Sequence, residues 1–598
     1  MPLMGSLYVG TSGLQTSQNA LNTTAHNLSN MDTQGYVRQQ VLESDKIYNT
    51  IKAASAVTSS QQIGLGVTYS RVRQVRDYFL DQSFRRESGR SAFYDESYNA
   101  LTEVEDLLDE LNDDASFNKA MTNFWSTIEE LSKTPDDTTI QRMIVQNAQS
   151  FLTNAQQVYQ GLVDYQNELN AHIKDKVEEI NNIGHRIYKL NEKIRGVEVG
   201  GIETANDLRD ERNKALDDLA GMANISYSED IFGSVKVQVE GVDFVAGDTV
   251  YEMNVVQDTD TGFYIPYWEI AAIPVEDTNK AGENVYTAPD GGLIDITSAR
   301  VFNMKAMISS EKNTDVGQLR AMLYIRGDKV ADYTDIPVKP EPPKESDYAT
   351  AAEFAEAKDR YLADCDRYEV DAAYYNQTIN QSICMNIEAE FDQLIHNVVT
   401  TVNKIFAEVS DPVSGYMCDD DGSPLQLFKK VASDGYTYDS VNKKWDYNEE
   451  NTSDDFHSET LYSIPNLMVN PTLIREAGKM SFKLPDGTVD YETAAKLIEG
   501  FDAKIYMLNP NVTTKCSINT YYSNLVSQVA NSGSVYKNIS ASQQATVESI
   551  DHSREQVVGV SSDEELTNMI KFQNAYNASS RYINVISEML EHIIMSLA

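Results

Sequence analysis

The sequence has few of the residues on which catalysis and metal binding usually depend. Its four cysteines, Cys365, Cys384, Cys418 and Cys516, are scattered without a CxxC pair, and its seven histidines are far apart. This spacing is typical of free thiols and not of a disulfide framework or a zinc site. No HExxH motif occurs, and no nucleophile, base and orienting residue form a recognisable set. The sequence therefore predicts a protein that is not an enzyme, with no catalytic residue, no metal site and no cofactor.

Long apolar runs and an excess of basic residues are also missing. No stretch of eighteen apolar residues occurs, so the sequence predicts no membrane-spanning helix. The N-terminus has neither the basic start nor the apolar middle of a cleaved secretory signal. The chain has 49 basic and 91 acidic residues and a net charge of −42, which argues against binding to nucleic acid or to anionic membranes. Composition alone would place the protein in the cytoplasm.

The first part of the chain is almost free of charge. Before Arg38 there is no lysine or arginine, and Asp32 is the only acidic residue. The polar residues there are mainly asparagine, glutamine, serine and threonine. A solvated surface helix normally carries charged side chains. An uncharged polar face can be packed against neighbours without the cost of burying ions, so this composition favours a segment enclosed in an assembly.

A regular row of leucines lies within this uncharged segment. The leucines recur at every seventh position, with smaller residues between them at alternating steps of four and three. The row is Leu7, Thr11, Leu14, Gln18, Leu21, Ala25 and Leu28. This pattern predicts one seam of an α-helix in coiled-coil register.

A second row with the same alternation lies at the other end of the chain. It consists of Met569, Phe572, Tyr576, Ser579, Ile583, Ile586, Leu590, Ile593 and Leu597. Since neither row can bury its apolar stripe alone, we expect the two ends to meet and pair. The alternative is two unrelated amphipathic helices that pack on the body of the protein. The N-terminal leucines offer little apolar area for ordering a whole helix, so we also expect the terminal helices to fray in an isolated monomer.

The body between these rows is mainly helical. Pro135 and Asp136 mark the start of a long apolar seam that continues to Ile194, before Gly200 and Gly201, and predicts a rod of about 90 Å. Alternating valines and glycine turns predict a β-rich insertion at 222–310. A proline-rich stretch at 337–343 predicts an extended spacer, and a charged helix follows it. A second polar, turn-rich insertion occupies roughly residues 411–462. We expect deletion of residues 420–460 to remove only local surface structure, provided that its ends lie close together, and to be far less damaging than Leu14→Asp or Leu21→Asp.

The predicted fold is therefore mainly α with inserted β-rich domains, a long helical coiled-coil rod whose N- and C-terminal helices pair at one end. The predicted domains are a terminal coiled-coil inner domain (1–45 plus 560–598), a helical rod domain (46–221 plus 311–410 plus 511–559), a β-rich insertion (222–310) and a second inserted or variable region (411–510).

Two short motifs resemble known sites but lack required residues. Asp419, Asp420, Asp421 and Gly422 resemble part of a calcium loop. An EF-hand needs a glutamate six positions after the glycine, where this chain has Phe428, so a solvated turn is the better interpretation. Asn470-Pro471-Thr472 resembles a self-cleaving Asn-Pro-Thr-His site, but Leu473 replaces the histidine. A helix start with proline in its first turn explains that stretch better.

Several segments resemble the axial proteins of the bacterial flagellum, which form its rod, hook and hook-associated parts. Residues 5–30 are similar to the N-terminal signature of these proteins, and TQGYVRQ at 33–39 resembles more narrowly the hook-associated group at the hook–filament junction. ANDLRDER at 205–212 and DEELTNMIKFQNAY at 563–576 also match. The proline-rich segment and its charged helix, 337–380, do not fit the family pattern.

The resemblance implies a secreted structural protein that forms a ring by self-assembly. The implied partners are further copies of the chain, the hook protein, the next hook-associated protein on the filament side and an export chaperone. The implied location is extracellular, at the hook–filament junction, after export without a cleaved signal. Another axial protein, such as a hook or distal-rod subunit, is the alternative. The expected assembly interface consists of Leu7, Leu14, Leu21, Leu28, Asn30, Gly35, Tyr36, Met569, Phe572, Tyr576, Ile583, Ile586, Leu590 and Ile593.

Overall fold

The computed structural model describes residues 3–46, 49–52, 61–108, 116–201, 203–275, 285–289, 291–348, 350–452 and 458–597. Long helices dominate this part of the chain. The α-helices are α1 (Leu3–Ser29), α2 (Tyr78–Leu108), α3 (Phe117–Lys133), α4 (Thr138–Glu198), α5 (Asn206–Met222), α6 (Gln318–Arg326), α7 (Ala351–Gln377), α8 (Ile383–Val409), α9 (Pro471–Arg475), α10 (Tyr491–Asp502), α11 (Ile518–Val558) and α12 (Ser562–Leu597).

Short antiparallel strands lie between the helices. They are β1 (Gln39–Asp45), β2 (Asn49–Lys52), β3 (Gln61–Ile63), β4 (Val67–Gln74), β5 (Ile225–Glu229), β6 (Val235–Val239), β7 (Val242–Ala246), β8 (Thr249–Val250), β9 (Met253–Gln257), β10 (Tyr264–Trp268), β11 (Ile273–Pro274), β12 (Val285–Thr287), β13 (Leu293–Asp295), β14 (Phe428–Lys430), β15 (Tyr436–Asp439), β16 (Lys444–Tyr447) and β17 (Leu467–Val469). The largest sheet has the order β5-β6-β7-β8, and β1 pairs with β4.

The long helix α4 contains 61 residues and begins and ends close to the predicted positions. Asp137 caps its N-terminus, because its Oδ1 accepts a hydrogen bond of 2.7 Å from the backbone N–H of Thr139. The predicted seam is largely buried, from Ile144 to Ile194. The helix stops where Gly200 and Gly201 follow, and the latter has a φ of +63° that favours glycine.

Two hydrophobic cores lie along α4. The first takes the N-terminal half of α4, including Ile144 and Phe151, together with α3, α8, α10 and α11. The second takes the C-terminal half, including Ile173 and Ile187, together with α5, α6 and the β5–β8 sheet. The helices α2 and α11 pair alongside, and α1 pairs with α12. The predicted fold class is confirmed: the chain is mainly helical with small inserted sheets, and its terminal helices pack together. The predicted domain boundaries stay predictions.

A matched pair of glycines on α4 tests how closely the β5–β8 sheet packs on the rod. A Cβ atom added to Gly184 would lie 2.7 Å from Cε1 of the buried Phe244, whereas nothing lies within 4 Å of a Cβ added to Gly196. We expect Gly184→Ala to lower the free energy of unfolding by about 1–3 kcal/mol through overpacking. Gly196→Ala should raise it by up to about 1 kcal/mol through helix propensity. Urea unfolding of both variants measures the difference, and equal effects would contradict the packing.

The stretch after residue 411 is not the surface insertion that we expected. Leu425, Leu427 and Phe428 are at most 1% exposed and belong to the first core. β14 pairs with β17, so Phe428 lies opposite Val469 in the sheet. The expectation that residues 420–460 can be removed without damage to the core is wrong, because these three residues belong to the core. The sequence pattern did not reveal their burial, since they stand among polar residues. The hairpin formed by β15 and β16 is exposed along most of its length.

The two short motifs have structural explanations. Asp419 is buried, and its Oδ2 lies 2.6 Å from Nζ of Lys429, so this turn is less solvated than we predicted. Oδ2 of Asp420 lies 2.6 Å from Nη2 of Arg475. Asn470 caps α9, whose first residue is Pro471, and this confirms the predicted helix start.

The segment that does not fit the family pattern forms an arm. Residues 337–343 form neither helix nor strand, and α7 follows as a helix with a capping box formed by Thr350 and Glu353. Most of α7 is exposed, and Tyr375 near its end is fully buried beside α8. Oε1 of Glu341 lies 2.7 Å from Nζ of Lys515, and this ion pair ties the segment before α7 to the body.

Buried carboxyl groups on α8 predict an unusual dependence of stability on pH. Burial raises the pKa of Glu388 and that of Asp392 to about 8 each, from 4.5 and 3.8. A carboxyl group whose pKa is higher in the folded state stabilises the fold fully below its unfolded pKa, and this stabilisation is lost as pH rises through the folded pKa. We therefore expect the free energy of unfolding to fall by about 2 kcal/mol or more between about pH 5 and pH 8.

Urea unfolding at a series of pH values between 5 and 8 tests this expectation. The variant Asp392→Asn provides the comparison, because an amide does not titrate in this range, so its stability should fall less steeply with pH. A wild-type stability that is constant or rises over this interval would contradict the assignment of buried neutral carboxyl groups.

Candidate assembly interface at the chain termini

The terminal helices α1 and α12 form an antiparallel pair. A Cβ atom added to Gly10 would lie 2.7 Å from Cγ1 of Ile583, and one added to Gly13 would lie 2.8 Å from Oγ of Ser579. The partner number falls as the α1 number rises, which fixes the antiparallel direction. The predicted meeting of the two ends is therefore confirmed.

The face of α1 that contacts α12 consists of small residues. These positions alternate in steps of four and three, as a coiled-coil seam does, and we call them the small-residue stripe. The stripe is Ser6, Gly10, Gly13, Ser17, Ala20, Thr24 and Asn27. All are buried except Gly13, which is half-buried. Small side chains let the large residues of α12 approach the α1 backbone closely.

The predicted seam of α12 faces this stripe. Ile586 is buried, and Met569, Phe572, Tyr576, Ile583 and Leu590 are half-buried. Since α1 is the main neighbour of α12, this burial comes from the helix pair itself. Ile593 is exposed because the antiparallel register carries it past the start of α1. The side chain of Leu597 lies outside the described residues.

The leucine row is not the contact with α12 that we expected. Leu7, Leu14, Leu21 and Leu28 are half-buried, and the intervening Thr11, Gln18 and Ala25 are exposed. Each leucine directly follows a residue of the small-residue stripe, so it lies about 100° further round the helix. The row therefore flanks the contact with α12 and leaves apolar surface open. Its role between subunits stays a prediction.

The opposite flank of α1 rests on the β1–β4 ribbon. A Cβ atom added to Gly66 would lie 3.2 Å from Cα of Val9 and would also overlap Ser12. Gly66 has a φ of +96°, which favours glycine as well. This close approach holds α1 between the ribbon and α12 and directs the leucine row outwards.

A hydrogen-bonded turn connects α1 to the ribbon. Asn27 is 1% exposed, and its Oδ1 accepts hydrogen bonds from the Tyr36 hydroxyl at 2.8 Å and from the Gln39 N–H at 3.0 Å. Its Nδ2 donates to the Gln39 carbonyl at 2.8 Å. Asn30 Nδ2 donates to the His26 carbonyl at 3.0 Å, and Gly35 has a φ of +83°. The predicted interface residues Asn30, Gly35 and Tyr36 thus shape this turn.

The start of α5 holds the turn in place. The Val37 N–H donates to Asp210 Oδ2 at 3.2 Å, and Gln74 Nε2 donates to Asp210 Oδ1 at 2.6 Å. Gln39 Nε2 donates to Asp207 Oδ1 at 2.8 Å. Burial raises the pKa of Asp210 to about 7 and also raises the pKa of Tyr36. The motifs at 33–39 and 205–212 therefore meet in one polar network.

Arg38 links the same turn to the C-terminal helices. Its backbone N–H donates to the Val558 carbonyl at 2.8 Å, and its Nη1 donates to Glu564 Oε2 at 2.8 Å. Arg554 on α11 lies close to two carboxylates, with Nε 3.2 Å from Asp81 Oδ1 and Nη2 2.5 Å from Asp217 Oδ2. Asp217, Arg554 and Val558 line a cleft of about 910 Å³ between the turn, α2, α5 and the α11–α12 link. The network thus joins the terminal helix pair to the helical body.

Within the described ranges, no group of three or more histidine, cysteine, aspartate or glutamate side chains is placed to hold a metal ion. The four cysteines are free. In the same ranges, no helix is long and apolar enough to cross a membrane.

The predicted fraying of the terminal helices can be tested on the isolated protein. The α1 contact rests on small side chains, and its leucines are half-buried, so α1 has little apolar burial of its own. We expect amides of residues 7–28 to exchange with deuterium far faster than those of α4. Hydrogen exchange followed by mass spectrometry measures this. Strong protection of residues 7–28 in a monomer would contradict the expectation.

Three family models match separate parts of the chain. The model for the flagellar hook-associated protein FlgK helical domain covers residues 101–333. The model for flagella basal body rod proteins covers residues 7–36, and the C-terminal model of the flagellar basal body rod FlgEFG proteins covers residues 556–596. The two rod models fall on α1 and α12, the helices that pair.

Named relatives extend the similarity over almost the whole chain. Flagellar hook-associated protein 1 of Bacillus subtilis is 24% identical over 97% of this chain and 96% of its own length. The protein of the same name from Escherichia coli is 22% identical over 98% of both chains. The flagellar hook junction protein FlgK from Burkholderia pseudomallei matches with a TM-score of 0.46 and 12% identity, over 80% of this chain and 100% of its own.

The rod-protein models lie at the ends, in the paired helices, and the hook-associated model lies between them. Together with similarity along nearly the full length of two relatives that share one name, this arrangement makes the chain similar from end to end to the flagellar hook-associated protein 1 family.

Proposed function

We propose that this protein is a structural component of the bacterial flagellum that self-assembles into the junction between hook and filament. The observation that carries the proposal is the paired terminal helices, which match rod-protein models while the body matches the hook-associated helical domain. The relatives named flagellar hook-associated protein 1 support the same assignment.

The surface of the terminal pair supports assembly with neighbouring copies. Leu7, Leu14, Leu21 and Leu28 are only partly buried, and α1 carries no lysine, arginine or acidic side chain. A neighbouring helix can cover such a surface without stripping water from ions. Further apolar side chains, Met4 and Tyr8, are exposed on the same helix. In this proposal the ring forms when leucine rows and α12 helices of adjacent copies pack together.

The same proposal names the partners and the location. The ring contacts the hook protein on one side and the next hook-associated protein on the other, and an export chaperone holds the chain before secretion. The assembled protein is extracellular and has a structural role without catalysis. A second candidate, another axial protein such as a hook or distal-rod subunit, shares the terminal helices; the helical-domain match at 101–333 favours the junction.

A gene deletion in the bacterium that makes this protein tests the proposal. Cells without the gene should build hooks that carry no filaments, and the restored gene should restore filaments. Gold-labelled antibodies against the β15–β16 hairpin, which is exposed, should then label a band at the boundary of hook and filament in electron micrographs. Label along the whole hook, or loss of hooks in the deletion strain, would instead support the hook or rod assignment.

A further inference from the structure

The chain enters the arm along one face of α8. We call residues 328–336, which lead from α6 to the proline-rich stretch, the entry segment. Towards this segment α8 presents Glu388, Asp392 and His396, whose spacing of four residues places them on one face of the helix. Glu388 and Asp392 are both 0% exposed. A row of titratable side chains therefore lies under the backbone of the entry segment.

Each member of this row contacts the entry segment or the ring that it carries. The N–H of Ala331 donates to Glu388 Oε2 at 3.1 Å, and the N–H of Tyr333 donates to Asp392 Oδ2 at 3.1 Å. The Tyr333 ring stacks on His396, with 3.8 Å between the ring centroids. Two carboxyl groups and one ring pair thus fasten the entry segment to α8.

The two oxygens of Glu388 have different surroundings. Oε2 accepts hydrogen bonds from Ala331 and from Gln166 Nε2 on α4, the latter at 3.1 Å. Oε1 is buried and has no hydrogen-bond partner among the described residues. Since an ionised carboxylate carries charge on both oxygens, a buried oxygen without a donor disfavours the charged form. Burial correspondingly raises the pKa of Glu388 to about 8.

The groups around Glu388 and Asp392 give an added negative charge little compensation. They are Tyr159 on α4, Asp332, Tyr333 and Asp335 on the entry segment, Cys384 and His396 on α8, and Glu450 before β17. The cation of the entry segment, Lys329, has its Nζ 2.9 Å from Asp335 Oδ1 and so already faces a carboxylate. Burial lowers the pKa of His396, which keeps that ring uncharged at neutral pH. Loss of the Glu388 proton therefore adds charge to a mainly acidic group.

The apolar contacts of the entry segment form a small cluster of their own. This cluster joins the entry segment, the end of the arm and α8, and it is separate from the two cores along α4. Its members are Ala331, Ile336, Tyr375, Ile379, Met385 and Ala389. Proteins open locally where few apolar contacts must be broken. The entry segment can therefore leave α8 while both large cores stay closed.

We propose that Glu388 is a pH-sensitive latch, which holds the entry segment on α8 while its carboxyl group is protonated and releases the segment when that proton passes to water. A carboxyl group whose pKa is higher in the closed form stabilises that form fully below its open-state pKa, and this stabilisation is lost as pH rises through the closed-form pKa. The closed form is therefore favoured near pH 6 and weakened towards pH 8. The latch belongs to a single chain and does not depend on the proposed self-assembly. It adds a place of local opening to the overall loss of stability with pH.

Hydrogen exchange of the full-length protein, followed by mass spectrometry at pH 6 and pH 8, tests the latch. After correction for the pH dependence of unprotected amides, peptides that cover residues 328–336 should lose protection at pH 8, while α4 should remain far more protected. The variant Glu388→Gln keeps an acceptor oxygen for Ala331 and cannot ionise. A rise in the pKa of Glu388 from 4.5 to about 8 makes the loss in wild type larger than in this variant by a factor on the order of 50.

A second buried carboxyl group on α8 provides the matched control. Glu390 is also 0% exposed, and burial raises its pKa to about 7. It faces away from the entry segment, since its Oε1 accepts from Asn509 Nδ2 at 2.6 Å and its Oε2 accepts from Gln528 Nε2 at 2.9 Å. Glu390 stays buried when the entry segment alone opens, so Glu390→Gln should leave the pH dependence of that segment as in wild type.

The outcomes separate local opening from unfolding of the whole body. Equal pH dependence of the entry segment in wild type and Glu388→Gln would overturn the latch. Exchange of α4 as fast as that of the entry segment at pH 8, or a reduced pH dependence in Glu390→Gln, would show global unfolding and would overturn it as well. Wild-type protection of residues 328–336 that is the same at both pH values would do so even if Glu388→Gln does not fold.

Discussion

Cells that carry Gly10→Leu should have hooks but no filaments. The Cβ atom alone would lie 2.7 Å from Cγ1 of Ile583 and 3.1 Å from Cδ1 of Tyr582, and the remaining leucine atoms have no space within the helix pair. Overpacking of this kind costs about 1–3 kcal/mol in one chain. In the proposed ring this cost is repeated in every copy, so the pair should separate and the junction should not form. Swimming tests and electron microscopy of the cells measure the effect.

A glycine on the same helix provides the control. Nothing lies within 4 Å of a Cβ atom added to Gly5, so Gly5→Ala should raise helix propensity without a clash and leave motility normal. The purified Gly10→Leu protein should also unfold in urea at nearly the wild-type concentration, because both cores are remote from α1. Filaments on Gly10→Leu cells would show that α1 and α12 do not pair in the assembled junction.

The second large effect is expected from Leu21→Asp, which should also abolish filaments. Leu21 belongs to the leucine row that the proposed ring covers with a neighbouring helix. An aspartate there would place an unpaired carboxylate in a contact that has no basic residue on α1, at a cost of several kcal/mol per subunit. The variant Leu21→Met keeps the volume and apolar character, so it should preserve filaments.

Removal of the β15–β16 hairpin should be tolerated far better than Leu21→Asp. Tyr436 and Tyr447 are opposite each other in the pair, so residues 437–446 can be replaced by two glycines without moving the ends apart. None of the removed side chains is buried. Filament counts in cells with each variant compare the two. Swimming cells with Leu21→Asp, or filament loss after the hairpin deletion, would reverse the assignment of inner and outer surfaces.

The sequence predicted those elements that depend on large apolar residues at helical spacing. The seam of α12 and the length of α4 followed from leucine, isoleucine and phenylalanine positions, and the pairing of the two ends followed from matching rows. The α1 contact face was missed because its residues are small. Ser6, Gly10 and Ser17 follow the same alternation of four and three, but burial of small residues leaves no hydrophobic signal. A search for small residues at coiled-coil spacing would have found the stripe.

The spacing of apolar residues cannot predict contacts between segments that are far apart in the sequence. Val37 and Asp210 are 173 positions apart, and only the folded chain brings the N–H of one to the carboxylate of the other. The motifs at 33–39 and 205–212 were recognised separately, without a reason for them to meet. The burial of Leu425, Leu427 and Phe428 was also not predicted, since three apolar residues among polar ones resemble a loop. Tertiary packing, and not local sequence pattern, determines these contacts and this burial.

The continuity of α4 has a mechanical consequence. One unbroken helix of 61 residues supplies side chains to both cores, and no loop separates the part that serves the first from the part that serves the second. A twisting load applied to one core therefore reaches the other through a continuous ladder of backbone hydrogen bonds. Where α11 gives way to α12, at residues 559–561, the helical backbone is interrupted. We therefore expect the body to turn as one stiff unit relative to the terminal helices, about this short link and the contacts of Arg38 beside it.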